Sequence, residues 1–330
     1  MSVSLSKSLL EMKNAICFTG QGSQFVGMGK QLIKEFPYSK FIYEQVDERL
    51  KRYLSKIILE GDESDLRDTQ NTQPALLCHE AAILEILKKE YDFKPQLDSI
   101  KYLLGHSVGE IVALYASNAL DLDDSASLLS FRASLISSVR NPSKDYGMLA
   151  CLYPNKELIN NEIKHINDNS TYTITLANIN SPQQYVISGY RKGLELLQEK
   201  NINKKLFKKS IFLNVNCPFH SVLLDPIYTE FYNYIHEYIQ FKDPIPSVFS
   251  NFSGLPMKTK EEIPLKLANQ LNHPVLWQQC VEECIKDQVT TFIEIGPKPI
   301  LSNLNKQINN KIITLSICDV EDIKRFQSLL

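Results

Sequence analysis

The chain has 330 residues, 43% hydrophobic and 22% charged, with a formal net charge of −2. That length and apolar content can fill one large core or two unequal domains, and the near-neutral balance supplies no field to attract nucleic acid. No apolar run reaches the roughly 20 residues that a bilayer crossing needs.

Met1 to Lys13 is rich in Ser, Leu and Lys, with one Glu and no Arg. Residues 1–14 therefore read as an N-terminal extension, either a frayed end or a short mitochondrial targeting segment. Ala15–Thr19 is a short apolar strand, followed by Gly20-Gln21-Gly22-Ser23-Gln24 and a helix over Gly29–Phe36. Thr72-Gln73-Pro74 has the form of a helix start, a capping hydroxyl and then a proline whose missing N–H costs nothing in the first turn. Ala75, Leu76, Cys78, Ala82, Ile83, Ile86 and Leu87 give that helix an apolar face. A strand at Tyr102-Leu103-Leu104, a helix over 110–119 and a helix over Asp123–Ser137 follow.

Around Asn141-Pro142-Ser143 the elements become shorter. Strand Met148–Tyr153, a helix over 156–167, strands Thr173–Ala177 and Gln184–Ser188, a helix Lys192–Lys200 and a strand Lys204–Leu213 make a β-α-β-β-α-β order, that of a ferredoxin-like unit. A strand Ser247–Ser250, a helix over 260–271, a helix Trp277–Ile285, a strand Thr291–Ile295 and a final helix complete the chain. The alternation predicts an α/β fold. A large α/β-hydrolase-like domain with a parallel-sheet core (15–141 and 215–330) is expected to carry an inserted, small ferredoxin-like α+β subdomain (142–214).

Seven cysteines include no C-x-x-C pair, and an odd number without a secretory signal points to reduced thiols in a cytosol-like compartment. Cys280 and Cys284 lie one helical turn apart, a spacing read as core packing, and no metal is expected.

The chemistry concentrates at Gly105-His106-Ser107-Val108-Gly109. A serine between two glycines at a strand-to-helix turn is a nucleophile elbow. The following helix aims its free N–H groups and positive end at the hydroxyl. A serine needs a base, and of six histidines His220, in the kinked loop Cys217-Pro218-Phe219-His220-Ser221, is the candidate. The competing reading of His220 is a loop histidine bonded to backbone. His106 adjoins the serine on a sharp turn, so it is expected to orient the elbow.

These segments together resemble the malonyl-CoA:acyl-carrier-protein transacylases, acyltransferases of fatty-acid and polyketide synthesis. The resemblance runs from about residue 15 to about residue 305. It rests on Phe18-Thr19-Gly20-Gln21-Gly22-Ser23-Gln24, with Thr19 where the family usually has proline, on Thr72-Gln73-Pro74-Ala75-Leu76 and on Gly105-His106-Ser107-Val108-Gly109-Glu110. Arg132, Phe219-His220-Ser221, Ser250-Asn251, Gln270-Leu271, Pro274-Val275, Trp277 and Glu294-Ile295-Gly296-Pro297 follow in order. The resemblance implies Ser107 as nucleophile, His220 as base, and the N–H groups of Gln21 and Val108 as the oxyanion hole. It further implies the Gln270 position as the carbonyl that orients His220, and a substrate pocket shared by Arg132, Gln21, Asn251 and Phe219; a turn role is the competing reading of Asn251. Arg132 lies on a largely apolar helix where a lone guanidinium needs an anionic partner, and the free carboxylate of malonyl would supply one.

The expected activity is ping-pong transfer of malonyl from malonyl-CoA to the phosphopantetheine thiol of an acyl carrier protein, in a narrow cleft between the two domains. The expected protein is a monomer with no bound cofactor and a transient carrier partner. The mitochondrial matrix is the favoured compartment, because Tyr102-Leu103-Leu104 before the motif looks like fungal mitochondrial members; cytoplasm is the alternative. Two competing readings are a serine hydrolase or thioesterase of the α/β-hydrolase type and a catalytically silent carrier-binding module. The first wants the chain order Ser, acid, His, and no well-placed acid lies between Ser107 and His220. Gly20-x-Gly22 followed by Phe25 fits no dinucleotide motif, and Gly29-Lys30-Gln31 no P-loop.

Overall fold

The computed structural model describes residues 8–140 and 144–330. Residues 1–7 of the expected extension and the domain junction placed at Asn141-Pro142-Ser143 lie outside the described residues. Ten strands are present among those described: β1 (Asn14–Phe18), β2 (Ile100–Gly105), β3 (Tyr146–Leu152), β4 (Ile174–Ser181), β5 (Gln184–Tyr190), β6 (Lys209–Phe212), β7 (Val248–Phe249), β8 (Pro256–Met257), β9 (Thr291–Ile295) and β10 (Ile313–Ile317). They form a six-stranded sheet in the order β10-β9-β1-β2-β7-β8 and a four-stranded sheet in the order β4-β5-β3-β6. The chain is thus an α/β protein whose larger sheet is parallel except for β8, which runs antiparallel to β7.

The middle of the large sheet is dry. Every residue of β1 and β9 is buried, in keeping with the apolar run Ala15–Phe18, since helices cover both faces of a parallel sheet; the buried Glu294 of β9 accepts the backbone N–H groups of Ile300, Leu301 and Ser302. Phe18 pairs with Gly105 on one side and with Ile295 on the other. The loops after β1, β2 and β9 therefore leave the sheet at one level, and open α/β sheets bind ligands at such carboxyl ends.

The smaller sheet is antiparallel and alternates with the period of two that strands impose. Leu149 and Cys151 of β3 face the helices Lys156–Asn169 and Arg191–Lys204 in a separate apolar cluster with Ile159, Leu194 and Leu197. Met148 and Ala150 face the other way, into the main core. One parallel bridge ties the sheets' neighbourhoods together: Ile179 N–H donates to Val275 O at 2.9 Å, and Val275 N–H to Ala177 O at 2.8 Å.

Several boundaries differ from expectation for identifiable reasons. The helix expected to start at Thr72 runs from Thr69 to Tyr91, capped by Asp68, whose carboxylate accepts the Gln70 N–H at 2.9 Å. Pro74 consequently sits in the second turn, where it cannot serve the Gln70 carbonyl; that carbonyl accepts from Arg52 Nη2 at 2.7 Å instead. The Thr72 hydroxyl donates to Leu66 O at 2.6 Å. The strand expected from Lys204 begins at Lys209, because the preceding helix runs through Lys204 and ends on Lys205 at φ 52°. The single final helix is two, Leu301–Ile308 and Val320–Gln327, with β10 between them. Helices Lys40–Leu50, Leu54–Glu60 and Asp225–Tyr238 were not anticipated. Cys280 and Cys284 lie in an apolar cluster around Trp277, and burial pushes both thiols well above their ordinary range. Among the described residues no helix is long and apolar enough to cross a membrane.

Candidate active site

Ser107 stands between β2 and the helix Val108–Ala116, at φ 55° and ψ −105°. Such a backbone costs a non-glycine residue about 1–3 kcal/mol and persists only where its surroundings impose it. Here the flanking glycines permit the turn by close approach. A Cβ on Gly105 would fall 1.9 Å from the Gly109 carbonyl carbon, and one on Gly109 would fall 2.3 Å from Phe18 O. His106 N–H donates to Phe18 O at 3.0 Å, fastening the elbow to β1.

His220 reaches the same point from the loop after β6, and its own φ is 53°. Its Nε2 lies 2.7 Å from Ser107 Oγ and its Nδ1 2.8 Å from the Gln270 carbonyl oxygen. A carbonyl can only accept, so Nδ1 carries the proton and Nε2 is the lone-pair nitrogen facing the serine. Burial first, and the Arg132 guanidinium second, push the imidazole down to about 3. His220 is therefore held as the neutral base.

Arg132, on the helix Leu122–Ser138, is 1% exposed. Nη1 donates to Gln73 Oε1 at 2.8 Å, and Nη2 donates to Gln270 Oε1 at 2.9 Å and lies 3.4 Å from Ser107 Oγ. Both strong acceptors are neutral amides. Nε has no hydrogen-bond partner among the described residues. Burial pulls the guanidinium down to about 10, with Glu110 opposing, so it remains a cation at neutral pH. A desolvated cation without a hydrogen-bonded anion is poised to receive one.

The underside of the elbow is a polar cluster. The Gln270 side chain donates from Nε2 to Ser107 O and to Glu110 Oε2, both at 2.9 Å, while its backbone carbonyl orients His220. Asn251 accepts the Ser107 N–H at 2.7 Å, donates from Nδ2 to Gly105 O at 2.8 Å, and gives its own N–H to Glu110 at 2.9 Å. Asn251 was expected to line the substrate pocket. It is instead fully buried behind the elbow with its amide committed to elbow backbone, and does not border the cavity. Burial pushes the Glu110 carboxyl up to about 7 against the pull of its donors.

Ser107, Arg132, His220, Phe219, Gln21 and Val108 border one cavity of about 240 Å³. Its opposite wall is the outward face of the small sheet, including Met148, Ala150, Asn178 and Asn180. His106 joins the two sides, its Nε2 2.8 Å from Asn180 Oδ1. Among the described residues, no protein acceptor takes the backbone N–H of Gln21 or Val108. Gln73 and Glu110 also belong to the site, each inside a sequence motif but with no role that the motif assigns. Their signal was a polar residue held inside an otherwise apolar helical face, which the apolar pattern itself had marked as buried.

Residues 16–328 match the acyl transferase domain family. The malonyl CoA-acyl carrier protein transacylase of Bacillus subtilis (strain 168) is 37% identical over 312 residues, 94% of this chain and 95% of the relative. Among solved structures, an acyl-carrier-protein-S-malonyltransferase from Bartonella henselae is 30% identical at a TM-score of 0.89, covering 96% of this chain and 99% of that one. A malonyl-transacylase in complex with its holo type II PKS acyl-carrier protein is 27% identical at a TM-score of 0.89, with the same two coverages of 96% and 99%. The chain belongs to the acyl transferase family and, within it, to the malonyl-CoA:acyl-carrier-protein transacylases.

Proposed function

We propose that the chain moves a malonyl group from malonyl-CoA to the phosphopantetheine thiol of an acyl carrier protein through an ester on Ser107. The observation that carries this reading is the convergence on one hydroxyl of a neutral imidazole at 2.7 Å and a buried guanidinium at 3.4 Å that hydrogen-bonds no anion. Ser107 Oγ attacks the thioester carbonyl while His220 Nε2 takes its proton. The developing oxyanion accepts from the N–H groups of Gln21 and Val108, a contribution of about 3–4 kcal/mol per donor. Collapse breaks the carbon–sulfur bond, and His220 returns its proton to the coenzyme A sulfur. The carrier thiol then repeats the sequence in reverse, yielding malonyl thioester and free serine. Arg132 receives the distal carboxylate throughout, which sets the acyl carbon against Ser107. Phe219 supplies an apolar wall beside the base.

The wider reading goes with it. The four-stranded unit, with β4-β5-β3-β6 order, is a ferredoxin-like insertion in an α/β-hydrolase-like body, and the protein works as a monomer without a bound cofactor, placed in a mitochondrial matrix in preference to cytoplasm. Sequencing the mature N-terminus tests the placement.

Malonyl-CoA with holo carrier is expected to give far more transfer than hydrolysis; free malonate as the main product would instead favour the serine hydrolase. The depressed His220 also fixes the pH dependence. The base works when neutral, and a pKa lowered from 6.5 to about 3 keeps it neutral below the usual histidine range. Because kcat/KM reports the free enzyme, His220 should add no acid limb between about pH 8 and about pH 5.5, the window in which Glu110 beneath the elbow, pushed up to about 7, titrates. An acid limb centred near 6.5 that persists in Glu110→Gln would contradict the burial of the base.

A further inference from the structure

We propose that Glu80 is a positioning residue for the oxyanion loop, its carboxyl holding Thr19 and thereby fixing the Gln21 N–H against the Ser107 elbow. The inference rests on the acyl-transfer reading and extends it to a group outside the cavity. Where the family usually has proline, this chain has Thr19, which gains an N–H, a hydroxyl and a freer φ. Both donors converge on one atom: Thr19 N–H, shared with Ile295 O at 3.3 Å, reaches Glu80 Oε1 at 2.9 Å, and Thr19 Oγ1 reaches it at 2.6 Å. The Ser23 hydroxyl donates to Gly20 O at 2.9 Å and packs against Thr19 Oγ1 at 3.0 Å, so the anchored residue and the loop that presents Gln21 lie in direct contact. There is little slack, since a Cβ on Gly20 would stand 2.5 Å from His106 O.

Glu80 is fully buried, and Oε2 has no hydrogen-bond partner among the described residues. Burying such a group is unfavourable unless it is used, and its contacts go to Thr19. Burial, together with the nearby Glu294 carboxylate, raises its pKa well above the ordinary range. A neutral acid still offers Oε1 as an acceptor. The helix Thr69–Tyr91 serves as the ruler for the site. Thr69, Gln73 and Glu80, at i, i+4 and i+11, share one stripe, and they bond Gln21 Oε1 at 3.0 Å, Arg132 at 2.8 Å and Thr19 respectively.

The test is a double-mutant cycle on the full chain. Glu80→Ala is expected to lower kcat for malonyl transfer about tenfold with KM within about twofold, because a misplaced oxyanion donor acts on the transition state. Glu80→Gln, which keeps an acceptor oxygen, should stay within about twofold of wild type. In a Thr19→Pro background, which removes both donors, Glu80→Ala should change kcat by less than about twofold. Should Glu80→Ala fail to fold, Thr19→Val deletes only the hydroxyl donor and should lower kcat about threefold at unchanged KM. Equal losses in both backgrounds, or a rise in KM alone, would overturn the assignment. Wild-type protein that forms no malonyl ester on Ser107 would overturn the acyl-transfer reading and this inference with it.

Discussion

Ser107→Ala is expected to abolish the covalent malonyl adduct and to reduce transfer by about 10⁴-fold or more, the scale seen when a serine nucleophile is removed from a working pair. The hydroxyl is the group on which His220 Nε2 and Arg132 Nη2 both converge, so no neighbouring oxygen replaces it. His106, the adjacent side chain, is turned toward Asn180. The measurement is intact-protein mass after incubation with malonyl-CoA, paired with thermal denaturation to show that the variant is folded. An adduct of malonyl mass persisting in Ser107→Ala would move the nucleophile elsewhere and remove the mechanism.

Arg132→Ala is expected to lower kcat/KM for malonyl-CoA by about 10²–10³-fold, because truncating one partner of a buried charge pair costs about 2–5 kcal/mol. Acetyl-CoA has no distal carboxylate, so acetyl transfer should stay equal or improve. The asymmetry is the informative result. Arg132 also bonds Gln73 and Gln270, and damage to those contacts alone would depress both substrates in parallel. Parallel losses would therefore reduce Arg132 to a structural cation.

The sequence already carried the reactive centre because its residues are tied to local geometry. Gly105 and Gly109 are required by contacts of 1.9 and 2.3 Å, and a requirement of that kind leaves a motif. His220 was legible only through its neighbours in the loop, since a histidine in a turn has many uses and the Gln270 carbonyl that orients it is backbone, identical in every residue. Asn251 admitted two readings, pocket and turn, because polarity in a turn does not reveal which side the side chain takes; two side-chain hydrogen bonds turn it inward. β10 escaped notice as an edge strand whose first four residues are only half-buried, too weak a pattern to separate it from its flanking helices. The start of the helix at Thr69 was hidden by Pro74, whose usual place in a first turn outweighed the Asp68 cap.

The two walls of the cleft have separate foundations. Ser107 and its base rest on the large sheet, whereas Met148, Ala150 and Asn180 stand on a sheet whose far side packs into its own apolar cluster. The walls still touch: Asn180 meets His106 of the elbow at 2.8 Å, and Met148 and Ala150 belong to the same core as Phe18 and Val108, so a change on the second wall is felt at the nucleophile. Whatever reshapes the entrance for the thiol-bearing arm is therefore passed to the bond-breaking apparatus, a coupling that comes from closing one crevice between two layers joined through His106 and the Val275 bridge.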